Sequence, residues 1–499
     1  FVIANQVADQ TVRGIGIMIY GIPWGATAFA VALIVLAGMR SQARVWLALL
    51  AAAIGFGYWD IVRTDEILGD FSIKQSWRWQ PSSEEQLVEA LETRAVRQFE
   101  ETTSVEPASL AEAEWPAFRG AERTGEQPGI VLANDWDAQP PREVWRIPVG
   151  PGWSSFSVAG DRIFTQEQRG ENEVVVCYNA DNGSEIWTHE DASRFWEVVG
   201  GAGPRATPTL AGEYVYTLGA NGVLNCLDPN SGEELWQRDI RDDADRDPPY
   251  WGFASSPLVA DGLVVVHAGG DDDKGVLAYD ALNGELRWTA PAGDHSYSSA
   301  QVSTIDGKRC ILMLTNTGII FLEPTDGTLL GSHDWEFEGY RVVQPLVLED
   351  SSVILGTAMG TGTRRIRLSW NGSQFDVTED WTSRGMSPYF NDYVVHGGYL
   401  YGFDKNIFIE IESAELEEGL SNLVGEAELL AELAVVIETI ARFRVKECLS
   451  AQYANDFGPA DEATVDVRTT EAFHFVITRD RGQGHVVLER EYEVGQGAH

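Results

Sequence analysis

Lysine and paired cysteine are both scarce in this chain of 499 residues. Five of its 36 basic residues are lysines. Because it also has 76 acidic residues, its formal net charge at pH 7 is −40. This balance argues against nucleic-acid binding, which needs clustered Lys and Arg to neutralise phosphates. The four cysteines have no metal-ligand spacing and no adjacent pair, so neither a zinc site nor a vicinal disulfide is predicted. We expect a solvated acidic surface.

Glycine and tryptophan, by contrast, are abundant. The chain has 50 glycines and 17 tryptophans, and 44% of its residues are hydrophobic. This composition is globular, and it is typical of short strands joined by tight turns rather than of a helical enzyme. The length exceeds what one hydrophobic core usually supports, so more than one structural unit is expected.

Two apolar runs near the N-terminus predict a membrane anchor over residues 1–66. The first predicted helix covers about residues 15–39, contains no charge and is long enough to cross a bilayer. The second covers about residues 45–62 and is shorter. Neither run has the polar stripe of a soluble amphipathic helix. The sequence predicts two transmembrane helices, with a single span followed by an interfacial helix as the alternative.

The charges around these runs predict an orientation. The loop between them contains Arg40 and Arg44 and no acid, whereas the segment after the second run is rich in acids. Basic loops stay on the cytoplasmic side, so both ends of the anchor should lie outside. Residues 67–114 then form a predicted linker with an acidic amphipathic helix at about 84–105.

An internal repeat begins after the linker and sets the expected architecture. Each copy is a β-rich run followed by Asp, Asn or Glu, then three residues, Gly, three residues and Trp. Three copies are complete, about 50 residues apart, and they are YNADNGSEIW, LDPNSGEELW and YDALNGELRW. A fourth copy, LEPTDGTLLG, keeps the glycine but has Gly331 in place of Trp, and a divergent fifth copy is expected to end at Trp381.

The chemistry of this unit predicts a blade. The acid or amide can cap a turn, the glycine supplies a positive φ, and the tryptophan packs between neighbouring sheets. The predicted docking residues are Gly183, Gly232, Gly284, Gly327, Trp187, Trp236, Trp288 and Trp145. We expect Trp145 to lie in a strand that completes the last blade. Four short strands every 50 residues indicate an all-β, seven- or eight-bladed β-propeller of four-stranded blades over 115–499, with eight favoured.

Several segments resemble a known family. The repeat resembles the tryptophan-docking repeat of pyrroloquinoline-quinone (PQQ) propellers, and WPAFRGAERTG (115–125) is similar to a motif of BamB-like members. WSSFSVAGDRIFTQEQRG (153–170), GAGPRATPTL (201–210), YLYGFDKN (399–406) and the segment GDFSIKQSWRWQPSSEE also look like family segments. The resemblance covers about 45–410. From about 417 the chain diverges, and 417–449 is expected to be a helical insertion or part of diverged blades.

This resemblance leaves two functions open. The first is a non-catalytic scaffold for protein binding or assembly, held at the bacterial inner membrane with its propeller in the periplasm and with no cofactor. An accessory subunit of a larger membrane complex is one form of this function. The second is a PQQ-dependent membrane dehydrogenase of alcohols or sugars, for which the family implies PQQ, Ca²⁺ and a catalytic acid. No matching acid-and-amide cluster is found in the sequence, so no catalytic or metal-binding residue is predicted and the scaffold is favoured.

Five residues are predicted near the central mouth of the propeller. They are Gln166, Glu167, Arg169, Arg205 and Thr207, in the segments TQEQRG and GPRATP. They are candidates for binding a ligand or a partner, which we expect to be another membrane or periplasmic protein. The alternative, which we favour, is that they tie strand ends together across the channel.

Overall fold

A computed structural model describes most of the chain. The described residues are 18, 21–67, 73–98, 110, 113–127, 129–130, 136, 140–197, 200–293, 296–358, 360–404, 407–412, 464–468, 474–480 and 485–491. The chain divides into two compact units. The first comprises 1–124, 147–353 and 367–378, and the second comprises 125–146, 354–366 and 379–499.

Two apolar helices pack against each other as a helical hairpin near the start of the first unit. They are α1 (Ile22–Val35) and α2 (Ser41–Ile61). A side chain on Gly25 would collide with the ring of Phe56, and one on Gly55 would lie 3.3 Å from the Cα of Gly25. Glycine at both positions therefore lets the two helices approach closely, as small residues do in membrane helix pairs. Trp24 stacks on Tyr58 with ring centroids 5.6 Å apart.

The helices at the two predicted spans differ in length. Among the described residues, α2 is the one helix long and apolar enough to cross a membrane, judged by its length of 21 residues and its composition. At 1.5 Å per residue, it would cover about 30 Å, the thickness of a bilayer core. The helix in the first run, α1, has 14 residues. Both transmembrane spans therefore stay predictions.

A short hairpin and a helix connect α2 to the blades. The hairpin consists of β1 (Val62–Ile67) and β2 (Ile73–Trp77), and α3 covers Ser83–Gln98, within the predicted linker. The side chain of Glu85 accepts a hydrogen bond from the Ser82 amide at 2.6 Å, and the Ser82 hydroxyl accepts one from the Glu85 amide at 3.0 Å. This reciprocal pair is a capping box, which explains why the helix begins here.

One residue of α3 fastens the helix to the first blade. Glu84 accepts hydrogen bonds from both terminal nitrogens of Arg194, at 2.7 and 3.0 Å. It also accepts one from the amide of Gly170, at 2.9 Å. A bidentate Arg–carboxylate contact fixes geometry as well as adding energy, so it holds the start of α3 against the turn at Gly170.

Four consecutive four-stranded antiparallel sheets follow in the first unit, and we call them blades 1 to 4. The four strands of each sheet lie in chain order, and we call the first strand of each blade its inner strand. Blade 1 has β3 (Ser157–Ala159), β4 (Arg162–Arg169), β5 (Asn172–Asn179) and β6 (Glu185–Asp191), and it is followed by a small sheet of two strands, β7 (Trp196–Glu197) and β8 (Gly201–Ala202). Blade 2 has β9 (Thr209–Ala211), β10 (Tyr214–Leu218), β11 (Val223–Leu227) and β12 (Glu234–Asp239), and it is followed by the short helix α4 (Ile240–Ala244). Blade 3 has β13 (Leu258–Ala260), β14 (Leu263–His267), β15 (Val276–Asp280) and β16 (Leu286–Ala290), and blade 4 has β17 (Gln301–Ile305), β18 (Lys308–Leu314), β19 (Gly318–Leu322) and β20 (Leu329–Asp334).

Further sheets follow in the chain. They are a four-stranded sheet of β21 (Leu346–Val347), β22 (Ser352–Thr357), β23 (Gly362–Trp370) and β24 (Phe375–Ser383), a three-stranded sheet of β25 (Val394–His396), β26 (Tyr399–Asp404) and β27 (Ile407–Glu412), and another of β28 (Thr464–Arg468), β29 (His474–Asp480) and β30 (His485–Glu491). The predicted helical stretch 417–449 lies outside the described residues. The described part of the chain is thus mostly β, with repeated antiparallel four-stranded sheets.

The repeat motif forms the turn between the third and fourth strand of each blade. In blade 2, the amide of Gly232 donates to the carbonyl of Asp228 at 2.9 Å, while the Asp228 carboxylate accepts from the amides of Asn230 and Ser231. The glycine has φ +71°, and its counterparts Gly183, Gly284 and Gly327 have φ +70°, +70° and +72°. Glycine is the residue that adopts this conformation without steric cost.

The repeat tryptophan of each of blades 1 to 3 packs on the glycine turn of the next blade. The rings of Trp187, Trp236 and Trp288 lie against Gly232, Gly284 and Gly327, respectively. Each indole N–H also donates to a carbonyl in that turn, of Pro229 at 2.9 Å, Ala281 at 3.0 Å and Pro324 at 3.1 Å. The tryptophan is therefore buried with its polar atom satisfied, as a buried indole requires.

Blade 4 replaces the tryptophan with a different aromatic contact. Gly331 occupies the expected position, and Phe375 packs beside it, with its Cβ 3.1 Å from where a Cβ of Gly331 would be. The Phe375 ring also lies 5.6 Å from the ring of Phe321, measured between centroids. The space that a tryptophan fills in the other blades is thus filled from β24.

The WPAFRGAERTG segment lies across the inner strands of successive blades. Trp115 pairs with Val158 of β3, and the carbonyl of Pro116 accepts from the amide of Leu210 in β9 at 2.7 Å. Arg123 then reaches blades 3 and 4, where its guanidinium donates to the carbonyls of Ser256, Pro257 and Ala300. The segment therefore ties four blades together near their inner strands.

The predicted strand at Trp145 is not present. Residues 140–156 are described, and none of them is assigned to a strand. A complete ring closed by N- and C-terminal strands, and its blade count, therefore stay predictions.

Replacing Gly284 with alanine should destabilise the protein by about 3 kcal/mol, because a Cβ there would lie 2.8 Å from the Trp236 ring in a backbone that disfavours side chains. Gly262→Ala is the matched control, since Gly262 has φ +78° but open space around it. It should cost about 1 kcal/mol from backbone strain alone. Urea unfolding followed by tryptophan fluorescence measures both; equal losses would show that the tryptophan contact contributes nothing.

Replacing Arg123 with methionine should cost about 3 kcal/mol, because three buried carbonyls would lose a charged donor. Lysine should restore little, since an ammonium cannot match the planar fork that reaches two blades. Arg142→Met, at an exposed position, is the control and should stay within about 0.5 kcal/mol. Thermal unfolding of the three variants measures the difference, and a neutral Arg123→Met variant would contradict the role of this residue.

Candidate functional site

The segments that lead into the inner strands are linked to one another by hydroxyl groups. The amide of Ser155 donates to the Thr207 hydroxyl at 3.0 Å, and the Thr207 amide donates to the Ser256 hydroxyl at 3.0 Å. The amide of Ser256 in turn donates to the Ser299 hydroxyl at 2.9 Å. Equivalent positions of blades 1 to 4 are therefore joined in sequence, and this lead-in edge has a fixed geometry.

Two of the five predicted mouth residues belong to this edge in a structural role. Thr207 is the second member of the hydroxyl series just described. Gln166 is buried and donates its side-chain amide to the carbonyl of Ala206 at 2.7 Å, and so joins β4 to the lead-in of blade 2. Both side chains are engaged in contacts between blades.

Arg205 also lies at this edge and is almost completely buried. Its guanidinium donates to the carbonyls of Gly201 at 2.8 Å and Trp251 at 3.2 Å and lies 3.6 Å from the carboxylate of Glu197. It also sits over the ring of Phe195, 5.1 Å from the centroid. Burial lowers the pKa of Arg205 to about 10, so the group stays charged at neutral pH. Its contacts position the loops around it.

Glu167 and Arg169 form a separate network within blade 1. The Arg169 guanidinium contacts Glu167 at 2.5 Å and Glu185 at 2.7 Å, and the Tyr178 hydroxyl donates to Glu167 at 3.2 Å. Burial raises the pKa of Glu167, and the charge of Arg169 opposes this shift. The structure thus does not bring the five predicted residues to one point, because neighbouring positions on β4 face opposite sides of the sheet.

A group of aromatic side chains at the lead-in edge was not predicted from the sequence. Trp251, Tyr297 and Tyr340 contact one another with centroids 4.9, 5.4 and 5.2 Å apart. Tyr250 packs on Trp251 at 6.4 Å, and the amide of Trp251 donates to the Tyr297 hydroxyl at 3.1 Å. We call these four residues the lead-in aromatic cluster. Its exposed members are Tyr250 and Tyr340, which are 54% and 39% accessible.

Trp153 extends the aromatic surface towards blade 1. It is 61% exposed, and its indole N–H donates to the carbonyl of Gly200 at 2.7 Å. The sequence does contain a signal for these rings, which is an aromatic residue shortly before a Ser-Ser pair, as in WSSF and SYSSA. The sequence does not show which of these rings are exposed, because that depends on how the blades pack against one another.

Glu173 is a buried carboxyl group between blades 1 and 2. One oxygen accepts from the amide of Ala220 at 3.2 Å, and the other has no hydrogen-bond partner in the structure. Burial raises the pKa of Glu173 to about 7; the negative charge of Asp191 adds to the shift, and the Ala220 amide and Arg205 oppose it. This group therefore titrates near neutral pH.

A metal-dependent quinone site needs several ligating side chains that converge on one point. Within the part of the chain that the structure describes, no group of three or more His, Cys, Asp and Glu converges to hold a metal ion. The hydroxyl groups of Thr207, Ser256 and Ser299 are hydrogen-bonded between blades, and the dehydrogenase with PQQ and Ca²⁺ stays the alternative hypothesis.

Comparison with known proteins identifies the repeats. The family model described as outer membrane protein assembly factor BamB matches residues 171–414. Residues 171–414 carry BamB-like repeats of the PQQ type. Proteins named outer membrane protein assembly factor BamB are similar in sequence: that of Yersinia pestis is 25% identical over 158 residues, that of Moranella endobia 32% over 155, and that of Burkholderia pseudomallei 26% over 196.

These sequence matches cover part of each protein. They include 30%, 31% and 37% of this chain and 36%, 35% and 45% of the three relatives. Among solved structures, BamB from Moraxella catarrhalis has a TM-score of 0.34 at 14% identity, covering 50% of this chain and 66% of that one. A quinohemoprotein alcohol dehydrogenase from Comamonas testosteroni has a TM-score of 0.43 at 13% identity, covering 82% and 71%.

Glu173 makes stability depend on pH in a defined direction. Its folded pKa of about 7 lies above its ordinary value of 4.5, so the folded state retains a proton that the unfolded state releases. The contribution of Glu173 to the free energy of unfolding should therefore be greatest below about pH 4.5. It should fall by up to roughly 3 kcal/mol as the pH rises through 7.

The isosteric Glu173→Gln variant tests this dependence. It should match the wild type at pH 4.5 and melt at a higher temperature at pH 8, because it carries no charge to bury. Glu171→Gln, at an exposed neighbouring position, is the control and should follow the wild type. Melting curves from pH 4.5 to 8 measure the gap between variants; a gap that is constant with pH would contradict the assignment.

Proposed function

We propose that this protein is a non-catalytic scaffold that binds another protein. In this proposal, the blades close into a ring of eight, α1 and α2 both span a bacterial inner membrane, and the propeller stands in the periplasm as part of a larger assembly. The scaffold works without a bound cofactor.

The observation that carries this proposal is the lead-in aromatic cluster with Trp153. Trp153, Tyr250 and Tyr340 are exposed, and the segments beside the cluster are joined by hydrogen bonds between blades. Exposed Trp and Tyr on a rigid frame are typical of protein-binding sites, because aromatic anchors bury a large area and lose little entropy. The BamB relatives, which are named as assembly factors, support the same function.

The N-terminal helices support the membrane location. Apolar side chains of α2 remain exposed within the structure, including Trp46 at 72% and Ile54 at 66%. Lipid would cover this surface at no cost in desolvation. Arg40 and Arg44, at the start of α2, support an orientation with that end of the helix in the cytoplasm and the blades outside.

Site-specific photocrosslinking in native membranes tests the scaffold. Benzoylphenylalanine at Trp153 or Tyr340 should give an adduct with a discrete second protein, because both positions are exposed at the proposed contact surface. The controls are the same amino acid at Leu282 and Leu329, which are 71% and 51% exposed on other turns and strands of the blades. No adduct at the aromatic positions, or identical adducts at the controls, would contradict the proposal.

Reconstitution separates the scaffold from the dehydrogenase hypothesis. Purified full-length protein is incubated with PQQ and Ca²⁺, and dye reduction is followed with alcohols and sugars. We expect no turnover and no stoichiometric quinone in the purified material. Turnover that depends on quinone would overturn the non-catalytic assignment.

A further inference from the structure

Two acidic segments border the lead-in aromatic cluster. Residues 239–247 contain five acids and two arginines and end three residues before Tyr250. Residues 334–338 contain three acids and end two residues before Tyr340. The acids that are exposed in these segments are Asp242, Asp245, Asp247, Asp334, Glu336 and Glu338. The two exposed tyrosines of the cluster therefore each follow an acidic segment.

The basic side chains nearby have other contacts. Arg241 is held by Asp239 at 2.9 Å, and Arg246 donates to the carbonyl of Gly269. Arg341 is buried and donates to the carbonyls of Thr315 and Asn316. Lys274 forms an ion pair with Asp245, with the two charged groups 3.6 Å apart. Asp247, Glu336 and Glu338 have no ion pair among those found for the described residues, and acids outnumber bases by three in each of the two segments.

We propose that the lead-in aromatic cluster docks an extended, arginine-rich segment of the partner protein. Arginine stacks on exposed tyrosine and tryptophan faces through cation–π contact, and acids beside the rings add attraction at short range. This inference rests on the proposed scaffold function and adds the chemistry of its partner.

The same surface disfavours other occupants. An apolar peptide would bury acids without partners, which costs free energy, whereas a basic segment pairs them. An anionic partner such as a nucleic acid or an acidic lipid headgroup would be repelled. The rings are already fixed by the Trp251–Tyr297 hydrogen bond at 3.1 Å, so a partner meets a preformed surface.

Peptide binding to the purified full-length protein in mild detergent tests the inference. The probe is a fluorescein-labelled nine-residue peptide of alternating Arg and Gly, and the comparison peptide carries citrulline, which is uncharged, at each arginine. Fluorescence anisotropy at low salt should show binding of the arginine peptide and at least tenfold weaker binding of the citrulline peptide. Equal binding of the two peptides would overturn the inference.

Matched variants separate this surface from the general charge of the protein. Glu336→Gln with Glu338→Gln, and separately Tyr340→Ala, should each weaken the arginine peptide about 5- to 10-fold. The control pair, Glu213→Gln with Glu233→Gln, removes the same charge at exposed positions elsewhere on the blades and should change binding less than twofold. Circular dichroism verifies that all variants are folded. An equal effect of the control pair would show adventitious attraction to a −40 protein and overturn the inference.

The photocrosslink from Trp153 distinguishes failure of this inference from failure of the scaffold itself. If the adduct forms unchanged in the Glu336→Gln, Glu338→Gln and Tyr340→Ala backgrounds, the protein binds a partner by other means and the arginine-segment inference is wrong. If no adduct forms in the wild type, the scaffold function is wrong whatever the peptide does.

Discussion

The contact between a tryptophan and the glycine turn of the next blade is the constraint on which blades 1 to 4 depend. A single four-stranded sheet cannot cover its own faces, so each blade is stable only against its neighbours. Trp236 covers the face at Gly284 and satisfies its indole N–H on the carbonyl of Ala281. One side chain therefore supplies both apolar burial and a directional bond, and this sets the spacing of adjacent sheets.

The parts of the fold that were predicted correctly are those encoded locally. The turn at Asp228–Gly232 requires a capping acid and a residue with positive φ, and both are visible in five letters of sequence. The path of Arg123 was not predictable, because its three carbonyl partners lie more than 130 residues away. The contact of Phe375 at Gly331 is likewise non-local. The sequence of the fourth repeat shows that the tryptophan is absent, but it does not show which side chain takes its place.

The candidate site shows the same division. TQEQRG begins within β4, and strand alternation sends Gln166 towards the lead-in of blade 2 while Glu167 joins Arg169 within blade 1. Sequence proximity therefore suggested one site where the structure has two networks. The lead-in aromatic cluster escaped prediction because Trp251, Tyr297 and Tyr340 come from three segments that meet only when blades 3 and 4 are stacked.

The hydrogen bonds that fix the lead-in edge also determine what remains for recognition. Ser155, Thr207, Ser256 and Ser299 use their hydroxyls or amides between blades, so the polar capacity of this edge is directed inward. Aromatic faces and carboxylates are then the groups left to meet another molecule. A frame that is rigid because its polar groups bind one another must recognise partners through rings and charge, and this links the stability of the blades to the chemistry of the surface they present.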